Sequence, residues 1–341
     1  MRKPRRYSIK QIAAQAGVSQ ATVDRAVHHR GHVNPQTQQR IAQAVKELKE
    51  QELFSMPVQG RTVFIDVVMH APARFCQAVR DAMNQQAVQW STFRIKLRFH
   101  LFEDISVSDL RKQLIWIAQH GSHGVVLKVP NDPLMMETIK DLQQQGIPAV
   151  TLVTDLPESD RLLYCGMSNH HAGTTAAYLM ANWLPQAARS NVLVVLSNDR
   201  FQGEDERALA FARSLQQQRP EIRVSRTEGS FGMDERLYVQ LCEDLKGHES
   251  WSGVYSVGGG NRAILQAFED LKLPAPVLIG HDLDRDNRLL LAQKRLQAVL
   301  YHDLTVDAQR SFQALLQWHR LIPETDLPQS KVEIITPYNL P

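Results

Sequence analysis

From Arg61 onward, short runs rich in Val, Ile and Leu alternate with amphipathic helical stretches, and the alternation runs through twice. Strands that are apolar on both faces require a parallel sheet covered by helices on both sides. In the first set, strands are expected at 62–68, 93–102, 124–129 and 149–153, with helices at 75–88, 107–120 and 133–145. In the second, helices are expected at 169–184, 205–218, 234–245, 261–271 and 305–320. Its strands fall at 191–196, 222–226, 253–257, 277–281, 296–301 and 332–335. The expected fold class is therefore α/β, with two doubly wound, Rossmann-like lobes. Each lobe presents the carboxyl ends of its strands to ligand, and the cleft between them is the natural small-molecule site.

Residues 8–48 obey a different rule. Ser8 and Gln11 have the spacing of a capping box. Ile9, Ile12, Ala13 and Ala16 follow at helical spacing, and Gly17 supplies a helix stop. Ser19 can cap a second helix with Val18, Thr22, Val23 and Val27 inward. Asn34–Pro35 opens a third helix, carried by Ile41, Val45 and Leu48. Helix, short Gly-containing turn, helix is the layout of an all-α helix-turn-helix, whose second helix lies in the major groove. Its exposed side would hold Gln20, Ala21, Asp24, Arg25 and His28, and Gln and Arg are the side chains that pair bidentately with adenine and guanine. Residues 1–60 hold 10 Lys+Arg against 4 Asp+Glu, net +6, whereas the remaining 281 residues hold 29 against 32, net −3. The positive charge sits on the candidate reader, where phosphate contact needs it.

The run IKQIAAQAGVSQATVDRAV resembles the N-terminal signature of the lactose/purine repressor family of bacterial transcription regulators. The resemblance implies a DNA-binding unit and linker over 1–57 and an effector-binding and dimerisation unit, like periplasmic binding proteins, over 58–341. Lobe 1 would comprise about 61–167 plus 303–327, and lobe 2 about 168–302 plus 328–341. The implied DNA-binding set is Ser19, Gln20, Ala21, Thr22, Arg25 and His28. The implied partners are a pseudo-palindromic operator read by a homodimer and a small sugar-like effector, with no cofactor, metal or catalysis. Two departures stand out. Asp24 replaces a small hydroxyl residue and would pair with Arg25 or Arg30, or help reject some sequences. The family's hinge helix, which wedges Leu into the minor groove, is replaced by LKEQELFSMPVQGRTV, where Leu53, Phe54 and Met56 are substitutes or the segment is a plain linker.

Bulk properties exclude other classes. No run of 18 apolar residues exists, and the basic start MRKPRRYSIK is followed by no apolar core, so a cytoplasmic protein is expected. Cys76, Cys165 and Cys242 are odd in number and scattered, which suits buried thiols rather than disulfides or zinc.

Effector candidates sit at strand ends. By the resemblance, Asp282 in IGHDLDRDN accepts hydrogen bonds from ligand hydroxyls; the alternative is a helix cap for the segment after it, and the two roles can coexist. Arg207 matches the family's cleft arginine; the alternative is a surface pair with Glu204 or Glu206. Phe201 and Gln202 line the same strand end. Asp155 in VTDLPESDR is a polar ligand or a turn residue, His302 a hinge ligand or a core histidine, and Phe75 a stacking or core aromatic. Asp and Arg without a basic cluster fit a sugar, polyol or sugar acid better than a sugar phosphate.

Two rival motifs remain. Gly258-Gly259-Gly260-Asn261-Arg262-Ala263 fits G-x-G-x-x-A after a strand, with Asp282 22 residues beyond Gly260. Alone it would make the chain an NAD(H)-binding redox sensor or dehydrogenase. Asp282, Asp284 and Asp286 mimic an EF-hand start, but Asn287 and Gln293 replace its Gly and Glu. His28, His29 and His32 lack the partners of a metal motif.

Overall fold

The computed structural model describes residues 7–28, 30, 33–53, 60–186, 190–197, 201–230, 233–246, 251–327 and 329–341. Phe54 and Met56 of the candidate wedge, and His29 and His32, lie outside these residues.

The head contains α1 (Ile9–Ala16), α2 (Gln20–Val27) and α3 (Pro35–Leu53). The capping box forms: the Ser8 amide donates to Gln11 Oε1 at 2.8 Å, and the Gln11 amide donates to Ser8 Oγ at 3.2 Å. Gly17 closes α1 at φ +62°, and Ser19 Oγ caps α2 by accepting from the Thr22 amide at 3.1 Å. Asn34 Oδ1 accepts from the Gln36 amide at 2.9 Å ahead of α3. Ile12, Ala13, Ala16, Val23, Ile41, Ala44 and Leu48 form the head's core.

The first sheet contains β1 (Arg61–His70), β2 (Phe93–Phe102), β3 (Val125–Lys128), β4 (Ala149–Leu152) and β5 (Leu163–Cys165), in the order β2-β1-β3-β4-β5, all parallel. Its helices are α4 (Ala73–Ala87), α5 (Val107–Gln119) and α6 (Pro133–Gln144). Period-two alternation divides β1 between two cores. Val63, Ile65, Val67 and Met69 pack with α4 and with Phe312 and Leu315, whereas Val68 packs with Leu110, Leu114 and Ile139.

The second sheet contains β6 (Asn191–Val195), β7 (Arg223–Thr227), β8 (Trp251–Ser256), β9 (Val277–His281), β10 (Ala298–Tyr301) and β11 (Glu333–Ile335). Their order is β11-β10-β9-β8-β6-β7, with only β11 antiparallel to its neighbour. The helices of this part are α7 (Asn169–Trp183), α8 (Gln202–Gln218), α9 (Asp234–Asp244), α10 (Asn261–Asp270) and α11 (Arg285–Ala292). After β10 the chain crosses back, and α12 (Leu304–Trp318) packs on α4 and on β4 and β5 of the first sheet. Both parallel sets share one winding, in which the first strand lies between the second and the third. Each sheet therefore has its switch point beside its first strand, with a crevice at the carboxyl ends.

Three elements differ from the sequence expectation. The strand β5 and the helix α11 were not anticipated; β5 has three residues, two of them half-buried, and so carries no periodic signal. The helix α8 begins at Gln202 rather than Asp205, which brings Gly203 and Glu204 into its first turn beside the crevice.

Candidate functional site

Two surfaces carry chemistry. On α2, Ser19, Gln20, Ala21 and Arg25 are exposed, while Thr22 and His28 are half-buried. Ser19 and Thr22 hydroxyls lie 2.8 Å apart, and Arg25 Nε donates to the Ala21 carbonyl at 3.3 Å. Asp24 does not pair with Arg25 or Arg30 as expected; its carboxylate lies 2.7 Å from His28 Nδ1, one turn along α2. The i,i+4 geometry brings His28 over Asp24.

The head rests on the first sheet through the other helices. Gln15 Nε2 donates to the Leu97 carbonyl of β2 at 2.7 Å and to Glu47 Oε2 at 2.9 Å. Arg80 Nη2 of α4 lies 3.4 Å from Glu47 Oε1. The Arg40 guanidinium sits 5.9 Å from the Phe102 ring centre. These contacts use α1 and α3 and leave the outer face of α2 open.

The second surface is a cleft of about 950 Å³, its mouth included, lined from both sheets. Most of the wall is the carboxyl ends of strands: His70 ends β1 with Ala71, Pro72, Arg74 and Phe75 after it, Lys128 ends β3, Val153 and Thr154 follow β4, and Ser197 follows β6; the first turns of α8 and α9 add Gly203, Glu204, Arg207 and Asp234. Val257 to Arg262 follow β8, and His281 to Asn287 begin at the end of β9.

Four of the six effector candidates converge there: Arg207, Asp282, Phe201 and Phe75. Arg207 is 3% exposed. Its Nε donates to Asn169 Oδ1 at 2.7 Å, not to the neighbouring glutamates. Its placement depends on Gly173, where a Cβ would stand 2.3 Å from the Arg207 carbonyl oxygen, so α7 and α8 touch backbone to backbone. Asp282 has φ +65°, a conformation Asp tolerates better than most residues. It is not a helix cap: Asp284 Oδ1 caps α11 by accepting from the Asn287 amide at 2.8 Å. Asn287 Nδ2 instead donates to the Asp282 carbonyl at 2.8 Å, and Asn261 Nδ2 donates to Asn287 Oδ1 at 2.7 Å. This buried amide pair fixes the turn that carries Asp282.

The other two candidates lie outside the lining. Asp155 accepts from Arg161 Nη2 at 2.6 Å, from Thr151 Oγ1 at 2.7 Å and from the Leu156 amide at 2.8 Å. Burial pushes its carboxyl up, but the bonds from Arg161 and Thr151 outweigh it and hold the group below the ordinary carboxylate range. Its charge is consumed inside its own turn. His302 is fully buried behind the cleft, with Nδ1 2.5 Å from Asp307 Oδ2, where the chain crosses into α12.

The structure also places residues in the cleft that sequence reasoning missed. Lys128 is buried; its Nζ lies 3.9 Å from the Phe201 ring centre, 5.8 Å from that of Phe75 and 3.5 Å from the His70 carbonyl. Burial lowers its pKa, against the opposing field of Glu204. Arg74 spans the two sheets, with Nη1 3.0 Å from Asp234 and Nε 3.6 Å from Asp284. Asn131 Nδ2 donates to Gln202 Oε1 at 2.8 Å, a second link across the cleft. The expectation of no basic cluster is thus corrected: Arg74, Lys128, Arg207 and Arg262 all line the cleft. Lys128 ends the run Val-Val-Leu-Lys, which reads as an ordinary strand exit. The Arg74–Asp234 pair is 160 residues apart, beyond any local signal.

The glycine-rich loop serves packing. A Cβ on Gly258 would stand 2.1 Å from the Ser197 amide, and one on Gly259 would meet Arg74 Nη2 at 2.7 Å. Arg74 thus lies over the loop at Gly259.

Residues 65–317 match the periplasmic binding protein domain, and residues 8–49 match the bacterial regulatory proteins of the lacI family. Among solved structures, the chain is similar to GanP, a glucose-galactose binding protein from Geobacillus stearothermophilus. The identity is 17%, the coverage 83% of this chain and 99% of that one, and the TM-score 0.70. A carbohydrate transporter from Acidothermus cellulolyticus 11B, in complex with myo-inositol, is similar at 16% identity, 82% and 96% coverage and TM-score 0.69. A chain from Bacteroides fragilis described as a LacI transcriptional regulator is similar at 14% identity, 82% and 98% coverage and TM-score 0.68. No curated protein matches by sequence. Among the described residues, no helix is long and apolar enough to cross a membrane.

Proposed function

The chain belongs to the periplasmic binding protein domain family and carries the helix-turn-helix of the lacI family of bacterial regulatory proteins; from that premise we propose that it is a transcriptional repressor whose grip on an operator is set by a small sugar-like effector in the cleft. The observation that carries the proposal is the reach of α4. Its first turn supplies Arg74 and Phe75 to the cleft, and Arg80 on the same helix meets Glu47 of the head. Six residues of helix separate the two contacts, roughly 9 Å along the axis. A rigid helix that ends in the effector site and touches the head gives ligand and DNA a shared element to bias, and their effects on each other must then be equal.

The reading face would be Ser19, Gln20, Ala21, Thr22, Arg25 and His28. A homodimer would set two such faces on a pseudo-palindromic site. Arg207 and Asp282 would hold ligand hydroxyls, with Phe201 and Phe75 as apolar walls. The carbohydrate-binding neighbours support this effector class.

Selection of bound sequences from random duplexes, followed by affinity measurement with Arg25→Ala, tests the reading. The variant should lose about 1–3 kcal/mol of preference for the selected site over random DNA. An equal loss on every sequence would make Arg25 a phosphate contact, and absence of salt-sensitive DNA binding in the parent protein would refute the regulator assignment.

A further inference from the structure

We propose that Arg74 is a latch that holds the two sheets together across the cleft before any effector arrives, with Asp234 and Asp284 as its catches and the Gly259–Gly260 step as its seat. Arg74 belongs to the first turn of α4, which packs on β2 of the first sheet. Its catches belong to the second lobe: Asp234 opens α9, and Asp284 is the N-cap of α11. Arg74 Nη1 lies 3.0 Å from Asp234 Oδ1, and Nε lies 3.6 Å from Asp284 Oδ2. One planar fork thus meets two carboxylates, a task that suits a guanidinium and not an ammonium. Each catch is placed by contacts of its own. Asp284 commits its other oxygen, Oδ1, to the Asn287 amide at 2.8 Å, and α9 packs along α10.

The glycine loop is cut to fit this contact. Gly259 and Gly260 have φ of +85° and +82°, where a side chain is strained. A Cβ on Gly259 would stand 2.7 Å from Arg74 Nη2 and would displace the guanidinium from its acids. A Cβ on Gly260 would stand 2.4 Å from Leu237 Cδ2, in the turn of α9 that Asp234 opens. Bare backbone at the two positions therefore admits the latch and its first catch side by side. The latch is also able to open. The Arg74 and Asp234 side chains are 28% and 41% exposed, so water and salt compete for their contact. Asp284 is the deeper catch, at 15%. A neutral link, from Asn131 Nδ2 to Gln202 Oε1 at 2.8 Å, adds to the hold. The chain itself then sets the resting angle of its lobes, and an effector meets a cleft already drawn together.

Pulsed electron resonance between spin labels on Gln77→Cys of α4 and Val239→Cys of α9, both exposed positions, reads the separation across the contact in the full chain without effector. Cys242→Ser removes the half-buried native thiol, while Cys76 and Cys165 are buried. Labelled protein is diluted into unlabelled protein, so that distances within one chain dominate. The latched chain should give one short, narrow distribution. Arg74→Met should move it to longer and broader distances. Asp234→Asn with Asp284→Asn should do the same, since Asn keeps the cap of α11. The three substitutions together should go no further than either set alone, because each set already removes the same contact. A long, broad distribution in the parent, or a short one that survives Arg74→Met, would overturn the latch. A shift with Arg74→Met that the two asparagines fail to reproduce would overturn Asp234 and Asp284 as its catches. No effector is present in the measurement, so each of these results leaves the effector class untouched.

Discussion

Arg80 and Glu47 meet across the seam between the head and the first sheet, 3.4 Å apart, with the Glu47 side chain only 4% exposed. Glu47 is also held by Gln15 at 2.9 Å and by Gln43 at 3.2 Å. A carboxylate this buried and this well supplied with donors ties α4 to the head. Replacing both charges, Arg80→Met with Glu47→Gln, keeps the volume and avoids stranding either one. Operator affinity without effector should then stay within about threefold of the parent. The change in operator affinity on adding effector should shrink to less than half of its free-energy value. Fluorescence anisotropy on labelled operator, with and without saturating effector, measures both; an unchanged coupling would move the signal path elsewhere.

Asp282→Asn isolates charge from shape. Asn is comfortable at positive φ, so the turn held by Asn261 and Asn287 should survive. Stability without ligand should change by less than about 0.5 kcal/mol in urea unfolding. Effector affinity should fall about ten- to a hundredfold in titration calorimetry, the cost of losing hydrogen bonds to a charged group. Undiminished affinity would remove Asp282 from the site.

Gly173→Ala forces a methyl into the contact between α7 and α8, where it would stand 2.3 Å from the Arg207 carbonyl and 2.8 Å from Ala210 Cβ. Overpacking of this kind costs about 1–3 kcal/mol. Because the same backbone positions Arg207, effector affinity should fall with it, although residue 173 is no part of the cleft lining. Urea unfolding and titration on one preparation check both effects.

His281 gives the protein an acid-side sensitivity. Burial lowers its pKa well below the usual imidazole value, with further push from Arg207 and His302, and its Nε2 lies 2.7 Å from the Tyr255 hydroxyl. The folded chain keeps this ring neutral, while the unfolded chain protonates it near pH 6.5. Its contribution is therefore complete above about pH 6.5. It declines as the pH falls toward the folded value, by up to about 1.4 kcal/mol per pH unit. His281→Gln, which keeps a polar partner for Tyr255, should remove about 1 kcal/mol of the loss in unfolding free energy between pH 6.5 and pH 5.5. A slope equal to the parent's would assign the acid sensitivity to other groups.

The sequence made local features plain wherever one residue decided the local geometry. Ser8 with Gln11, Gly17, Ser19 and Pro35 framed the head because caps act within a few residues. Arg207 and Asp282, expected from the resemblance, and Phe201 and Phe75, expected at strand ends, do line the cleft, since parallel sheets open their crevices at their carboxyl edges. Lys128 and Arg74 were not legible, because their contacts exist only once two sheets face each other; Asn261 was not, because its partner Asn287 lies 26 residues on. Asp155 misled for the opposite reason: its partner, Arg161, lies six residues away, and a carboxylate neutralised nearby looks the same in sequence as one reserved for a ligand.

The docking of α1 on β2 bears on how the chain avoids its own kind. The strand β2 ends the first sheet, and one row of its backbone groups has no partner strand. Strand margins of this sort recruit other chains unless something sits on them. Gln15 answers the Leu97 carbonyl, and the head shields that margin from the outside. The head thus covers part of the β2 margin, and a version shortened to begin near Arg61 should be less soluble than the intact chain even if its effector cleft is untouched.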